Sequence, residues 1–155
     1  METFGVTQEL KRENKQFWGR QLGMCWQLLV TELCKHTCAD YGNALRFDAD
    51  EPCDLVLGSD AIDTKYRVGS GDSGTLKKFK QYGALLKENG YRPVFLFVRE
   101  DNLPAAMTAC EAGGWSVYTG DSTFKYLQEK TGFDLYGWLC HHRDNGTFII
   151  KRSES

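Results

Sequence analysis

The chain has 155 residues, a length that suits one domain able to bury about two-thirds of its unfolded surface. With 41% hydrophobic and 13% aromatic residues the composition excludes wholesale disorder. No apolar run approaches the length of a membrane span, and Met1 to Lys15 is polar and unlike a secretory leader, so a single cytoplasmic domain over residues 1–155 is expected, with no membrane partner. The formal charge of −2 argues against a surface coated in nucleic acid but leaves room for one local site. Acids gather at 48–54 and at Glu100-Asp101, while Lys65, Arg67, Lys77, Lys78, Lys80, Lys87 and Arg92 cluster between them.

In chain order, apolar spacing predicts an amphipathic helix from about Lys15 to Asp40. Its expected buried stripe is Trp18, Leu22, Cys25, Trp26, Leu29, Leu33 and His36, with Glu32 on the border. Tyr41-Gly42-Asn43 reads as the turn that ends it, and Ala44 to Ala49 as a first strand. Cys53 to Leu57 and Asp60 to Val68 follow as hairpin strands joined by Gly58-Ser59, a pair suited to a two-residue II′ turn. With that loop, Leu57 pairs with Asp60 and Asp54 falls opposite Asp63.

A helix from about Ser73 to Asn89 should face Leu76, Phe79, Gly83 and Leu86 inward, with Gly90 closing it. Pro93 to Arg99 is a buried-type strand, and the helical crossover from Val68 makes it a parallel neighbour. Leu103 to Ala112 then reads as a helix, Trp115 to Thr119 as a strand, and Ser122 to Lys130 as a helix capped by Asp121 or Ser122. A helical piece from Asp134 to His142 and, after the Asn145-Gly146 turn, an edge strand from Thr147 to Lys151 complete the chain. The expected class is α/β, a mixed central β-sheet flanked by helices.

Chemistry concentrates in the hairpin. Asp54, Asp63 and Lys65 share one face of it by strand alternation. Opposed carboxylates about 5 Å apart at Cβ repel by about 3 kcal/mol at an effective dielectric of about 20. A divalent cation reverses that sign, and hard oxygen donors suit Mg²⁺, which is usually held by one or two carboxylates plus substrate phosphate. The adjacent lysine can then position or deprotonate a water that attacks a phosphodiester.

This arrangement resembles the active-site motif of the PD-(D/E)XK nuclease superfamily, in which an acid opening one strand is followed in the next by an acid-x-lysine triplet. The positions here are Asp54, Asp63 and Lys65; Asp60 is second choice for the first acid. Pro52-Cys53-Asp54 carries the family's proline one residue early. The continuation from Lys65 through Gly83 looks like the type II restriction endonucleases and their ApaLI-like branch. The likeness spans roughly Asp54 to Asp134. It implies a restriction-endonuclease-like core, Mg²⁺ on Asp54 and Asp63, and Lys65 at the attacking water. The implied product ends are 5′-phosphate and 3′-hydroxyl. It also implies double-stranded DNA as substrate and a homodimer with one site per strand. Arg67, Lys77, Lys78, Lys80 and Gln81 are the expected DNA contacts, and Glu32 is where some members place a further helical acid.

Two other readings use the same residues. Gly69-x-Gly71-x-x-Gly74 matches a dinucleotide fingerprint, with Glu100 at the end of the next strand as a ribose-binding acid, although a Rossmann first strand would not carry Asp63, Lys65 and Arg67. A catalytically inert DNA-binding or interaction module of the same fold would leave the acidic pair without a metal. The six cysteines suit reduced thiols, and Cys34-x-His36-x-Cys38 with Cys140-His141-His142 lacks zinc-finger ligand spacing.

Overall fold

In the computed structural model, which describes residues 15–69 and 73–144, the chain forms an α/β structure around a five-stranded mixed open sheet. Its elements are α1 (Lys15–Thr37), β1 (Tyr41–Asn43), β2 (Leu55–Leu57), β3 (Asp60–Lys65), α2 (Ser73–Glu88), β4 (Arg92–Phe97), α3 (Pro104–Ala112), β5 (Ser116–Thr119), α4 (Asp121–Thr131) and α5 (Leu135–Asp144). The strands lie in sequence order, antiparallel from β1 to β3 and parallel from β3 to β5.

Side-chain chemistry assigns the layers. β4 is buried from Pro93 to Phe97 because parallel neighbours flank it and helices cover both its faces. On one face, Leu55, Leu57, Ile62, Val94 and Leu96 pack against Leu22, Trp26 and Val30 of α1 and against Leu127 and Leu139 of α4 and α5. The Trp26 indole N–H donates to the Leu96 carbonyl at 3.2 Å, fixing α1 on the sheet centre. On the other face, Val56, Ala61, Phe95 and Phe97 meet Phe79 and Leu86 of α2 and Ala106 and Cys110 of α3.

Where the hairpin strands pair they have the expected register, Leu57 opposite Asp60 and Leu55 opposite Ile62, but β2 begins at Leu55 and β3 ends at Lys65, both shorter than expected, so Asp54 opposite Asp63 is not a pair of the ladder. Gly58 takes φ +59°, the left-handed conformation a II′ turn needs at its first central residue, and its amide donates to the Asp40 carbonyl at 3.0 Å. The α2 boundaries and inward residues agree with the apolar periodicity, as does parallel pairing of β3 with β4.

Three further expectations change. The buried ridge of α1 is Leu22, Trp26, Val30 and Cys34, because the sheet contacts a narrow i, i+4 row, and this leaves Cys25 and His36 exposed. The side chain of Trp18 lies outside the described residues. The first strand is Tyr41–Asn43, the segment read as a turn, because it pairs with β2 directly after the helix; 44–49 instead runs into a tight loop closed by a Phe47–Asp50 bridge, with Asp48 at φ +57°. The α4 N-cap is Gly120, without a side-chain bond, since the Ser122 hydroxyl is occupied with the Thr119 amide and carbonyl at 2.9 and 2.8 Å. The strand expected from Thr147 to Lys151 lies outside the described residues.

Candidate active site

The site forms where β2 stops and β3 continues. β2 ends at Leu55 opposite Ile62, so Asp63 to Lys65 extend beyond its last residue while β4 accompanies them on the other side. Asp54 stands at that divergence. Its amide donates to the Ile62 carbonyl at 2.8 Å, and its Oδ2 accepts both the Thr64 amide at 2.9 Å and the Thr64 hydroxyl at 2.7 Å. A side-chain carboxylate therefore occupies the place a strand carbonyl would take, and the amide left over by the ending strand is satisfied.

The Asp63 carboxyl lies close enough to Asp54 for the two to act on each other's ionisation. Burial first, and then the Asp54 charge, hold the Asp63 carboxyl well above the usual carboxylate range; Lys65 and the Thr64 amide act in the opposite sense. A neighbouring negative charge disfavours a second one, so the proton is retained on Asp63. Lys65, two residues on, holds its ammonium 6.0 Å from the Phe79 ring centroid. The site thus comprises two coupled carboxyls, an ammonium and an aromatic platform from α2.

The surrounding thiols are poor competitors for a hard cation. Burial, followed by the Asp63 charge and opposed by Lys65, pushes the Cys110 thiol up to about 12. Burial likewise pushes Cys53 up to about 11. Both remain protonated and inert at neutral pH. The oxygen pair fits Mg²⁺, which needs few protein ligands and keeps waters for the rest of its octahedron. Among the described residues no group of three or more His, Cys, Asp or Glu side chains is gathered as a richer metal site.

The other expected residues are distributed as follows. Arg67 is exposed one step beyond Tyr66, its Nε donating to the Asp101 carbonyl at 2.8 Å. Lys77, Lys78, Lys80 and Gln81 are exposed on α2, the helix that supplies Phe79. Glu32 does not join the carboxylates; it pairs with His36 at 3.2 Å on the exposed side of α1. Asp60 lies at the opposite end of β3, buried and bonded by the Tyr126 hydroxyl at 2.8 Å, with Lys130 and Arg92 at 3.6 and 3.8 Å. That makes it a structural ion-pair centre. Cys34 is buried and Cys38 donates to the Lys130 carbonyl, while His36 points away on the exposed side.

Thr64 is the residue that sequence reasoning missed. Strand alternation sends its side chain to the face opposite Asp63, and only the early end of β2 lets its hydroxyl reach Asp54. Gly71 of the glycine-rich segment lies outside the described residues. The strand before that segment has antiparallel β2 on one side and parallel β4 on the other, unlike the all-parallel setting of a dinucleotide fold. Among the described residues no helix is long and apolar enough to cross a membrane. Comparison of the chain with protein-family models, curated proteins and solved structures finds no match.

Proposed function

We propose that this protein is a Mg²⁺-dependent endodeoxyribonuclease of the PD-(D/E)XK type, and that it cuts double-stranded DNA within a specific sequence as a type II restriction enzyme. The observation that carries the reading is the Asp54–Asp63 carboxyl pair beside Lys65 at a strand divergence. An element order of helix, three antiparallel strands, helix and parallel strand supports it, since that is the core the motif resemblance implies.

Asp54 and Asp63 would hold the cation, and Asp63 would surrender its proton when the cation binds. Bound Mg²⁺ supplies positive charge to the phosphate and acidifies water in the site. Thr64 keeps Asp54 oriented by two hydrogen bonds to one oxygen. Lys65 holds the attacking water in line with the scissile phosphorus. The water would give up a proton to solvent as its oxygen bonds to phosphorus, and the bond to the 3′ oxygen would break as that oxygen takes a proton from solvent, leaving 5′-phosphate and 3′-hydroxyl ends. Arg67, Lys77, Lys78, Lys80 and Gln81 would meet the DNA backbone or groove, and a homodimer would present one site to each strand.

The test is incubation with supercoiled plasmid and Mg²⁺, followed by mapping of the ends. Discrete fragments that disappear with EDTA are expected. DNA binding without cleavage under any divalent cation would favour an inert binding module. A thermal shift with NAD or NADP, and none with DNA plus Ca²⁺, would favour a dinucleotide enzyme.

A further inference from the structure

A cleft of about 370 Å³ lies between α1 and the last residues of β3, lined by Thr64, Lys65 and Arg67 on the strand and by Arg20, Gly23 and Gln27 on the helix. One of its lining residues, Thr64, lies beyond the last pair of β2 with β3 and bonds Asp54 there. Arg20, Lys65 and Arg67 are among its lining residues and no carboxylate is; the Arg67 guanidinium also pairs with Asp101 at 3.3 Å and the Lys65 ammonium lies over Phe79, which leaves Arg20 as the cation of the helix wall. A concave wall of that sign next to paired carboxyls complements a polyanion.

The helix wall carries a further sign of use. Gly19 and Gly23 lie four residues apart inside α1, where glycine costs about 1 kcal/mol each relative to alanine. Close packing does not require them: a Cβ built on either meets no heavy atom within 4 Å. Their absent side chains leave the cleft open instead.

We propose that this cleft seats the phosphate backbone of the DNA strand being cut, with Arg20 and Gln27 of α1 as its contacts and Gly19 and Gly23 keeping it wide enough. This rests on the nuclease reading above and adds to it a role for α1. Arg20 binds a phosphate next to the scissile one by charge-assisted hydrogen bonds, and Gln27 donates through its amide. Both are substrate-positioning residues. Thr64, which lines the cleft, links it to the carboxyl pair through its hydroxyl, 2.7 Å from Asp54.

The experiment compares the wild type with Arg20→Ala, Gly23→Ala and Gly23→Leu. Affinity is read by fluorescence anisotropy on a labelled fragment of plasmid that the wild type cuts, with Ca²⁺ replacing Mg²⁺, at several salt concentrations. Arg20→Ala should weaken binding about tenfold, flatten the salt dependence by about one counterion, and raise KM more than it lowers kcat. Gly23→Ala should melt at or above the wild-type temperature. Gly23→Leu, folded by circular dichroism, should lose affinity by filling the cleft; should it fail to fold, Arg20→Ala decides alone. If the wild type cleaves and Arg20→Ala keeps native affinity and salt slope, the cleft does not hold DNA and the nuclease reading stands without it. If the wild type neither binds nor cuts DNA, both fall together.

Discussion

One oxygen of Asp54, Oδ2, accepts two hydrogen bonds from Thr64, the backbone amide at 2.9 Å and the hydroxyl at 2.7 Å. The pair spans the point where β2 leaves β3, so the carboxylate is held by the sheet itself. Thr64→Val removes the hydroxyl at nearly constant shape. It should cost about 1–3 kcal/mol, the range for a hydrogen bond to a charged acceptor, and should lower kcat for DNA cleavage, whereas Thr64→Ser should retain most of both. Urea unfolding and plasmid cleavage on the same preparations provide the check. A Thr64→Val protein as stable and as active as the wild type would remove Thr64 from the site.

Asp63 yields a pH dependence with a definite sign. Its carboxyl is raised in the folded protein, so the fold keeps the proton at pH values where the unfolded chain has lost it. That stabilisation is complete below the ordinary value of 3.8 and is lost as pH rises through the raised folded value. Without metal, stability should therefore fall with pH across this window more steeply than in Asp63→Asn, and Asp63→Ala should melt no lower than the wild type at neutral pH while losing cleavage. Mg²⁺ binding should strengthen as pH rises, with proton release detectable by calorimetry in buffers of different ionisation enthalpy. A marked drop in melting temperature for Asp63→Ala, with cleavage retained, would make Asp63 structural.

Lys65 separates positive charge from proton handling. A guanidinium keeps the charge but differs in shape and holds its protons far more tightly. Lys65→Arg should bind DNA and metal nearly as well as the wild type yet cleave slower by about two orders of magnitude, the scale of a positioned acid–base group. Lys65→Ala should also lose cleavage and should bind Mg²⁺ no more weakly, because the ammonium opposes the cation. Native turnover in Lys65→Arg would reduce this lysine to a generic charge.

The aromatic platform under Lys65 depends on a close approach between α2 and the end of α3. A Cβ on Gly83 would run into the Gly113 carbonyl and come within 2.8 Å of the Trp115 indole nitrogen, whose N–H donates to the Phe79 carbonyl at 2.7 Å. Gly83→Ala should cost about 1–3 kcal/mol or more, as overpacking does. It should also shift Trp115 fluorescence. A neutral effect on chemical unfolding would show that the two helices separate easily.

The sequence by itself determined the hairpin, its turn and its register, because Gly58-Ser59 between apolar runs has one economical backbone solution and a one-residue slip would turn every side chain to the other face. It also determined α2, through the spacing of Phe79, Gly83 and Leu86, and the doubly buried β4, through an unbroken apolar run. Tertiary structure decided what local pattern could not carry. Whether Tyr41–Asn43 is turn or strand depends on a partner, β2, more than ten residues away. Which stripe of α1 is buried depends on the ridge the sheet accepts, and this moved Val30 and Cys34 inward and left Cys25 and His36 in solvent. The separation of Asp60 from the carboxyl pair and its Tyr126 partner are likewise long-range matters. So is the bond from Thr64 to Asp54, because alternation fixes the face a side chain starts from, whereas the end of the neighbouring strand fixes what it can reach.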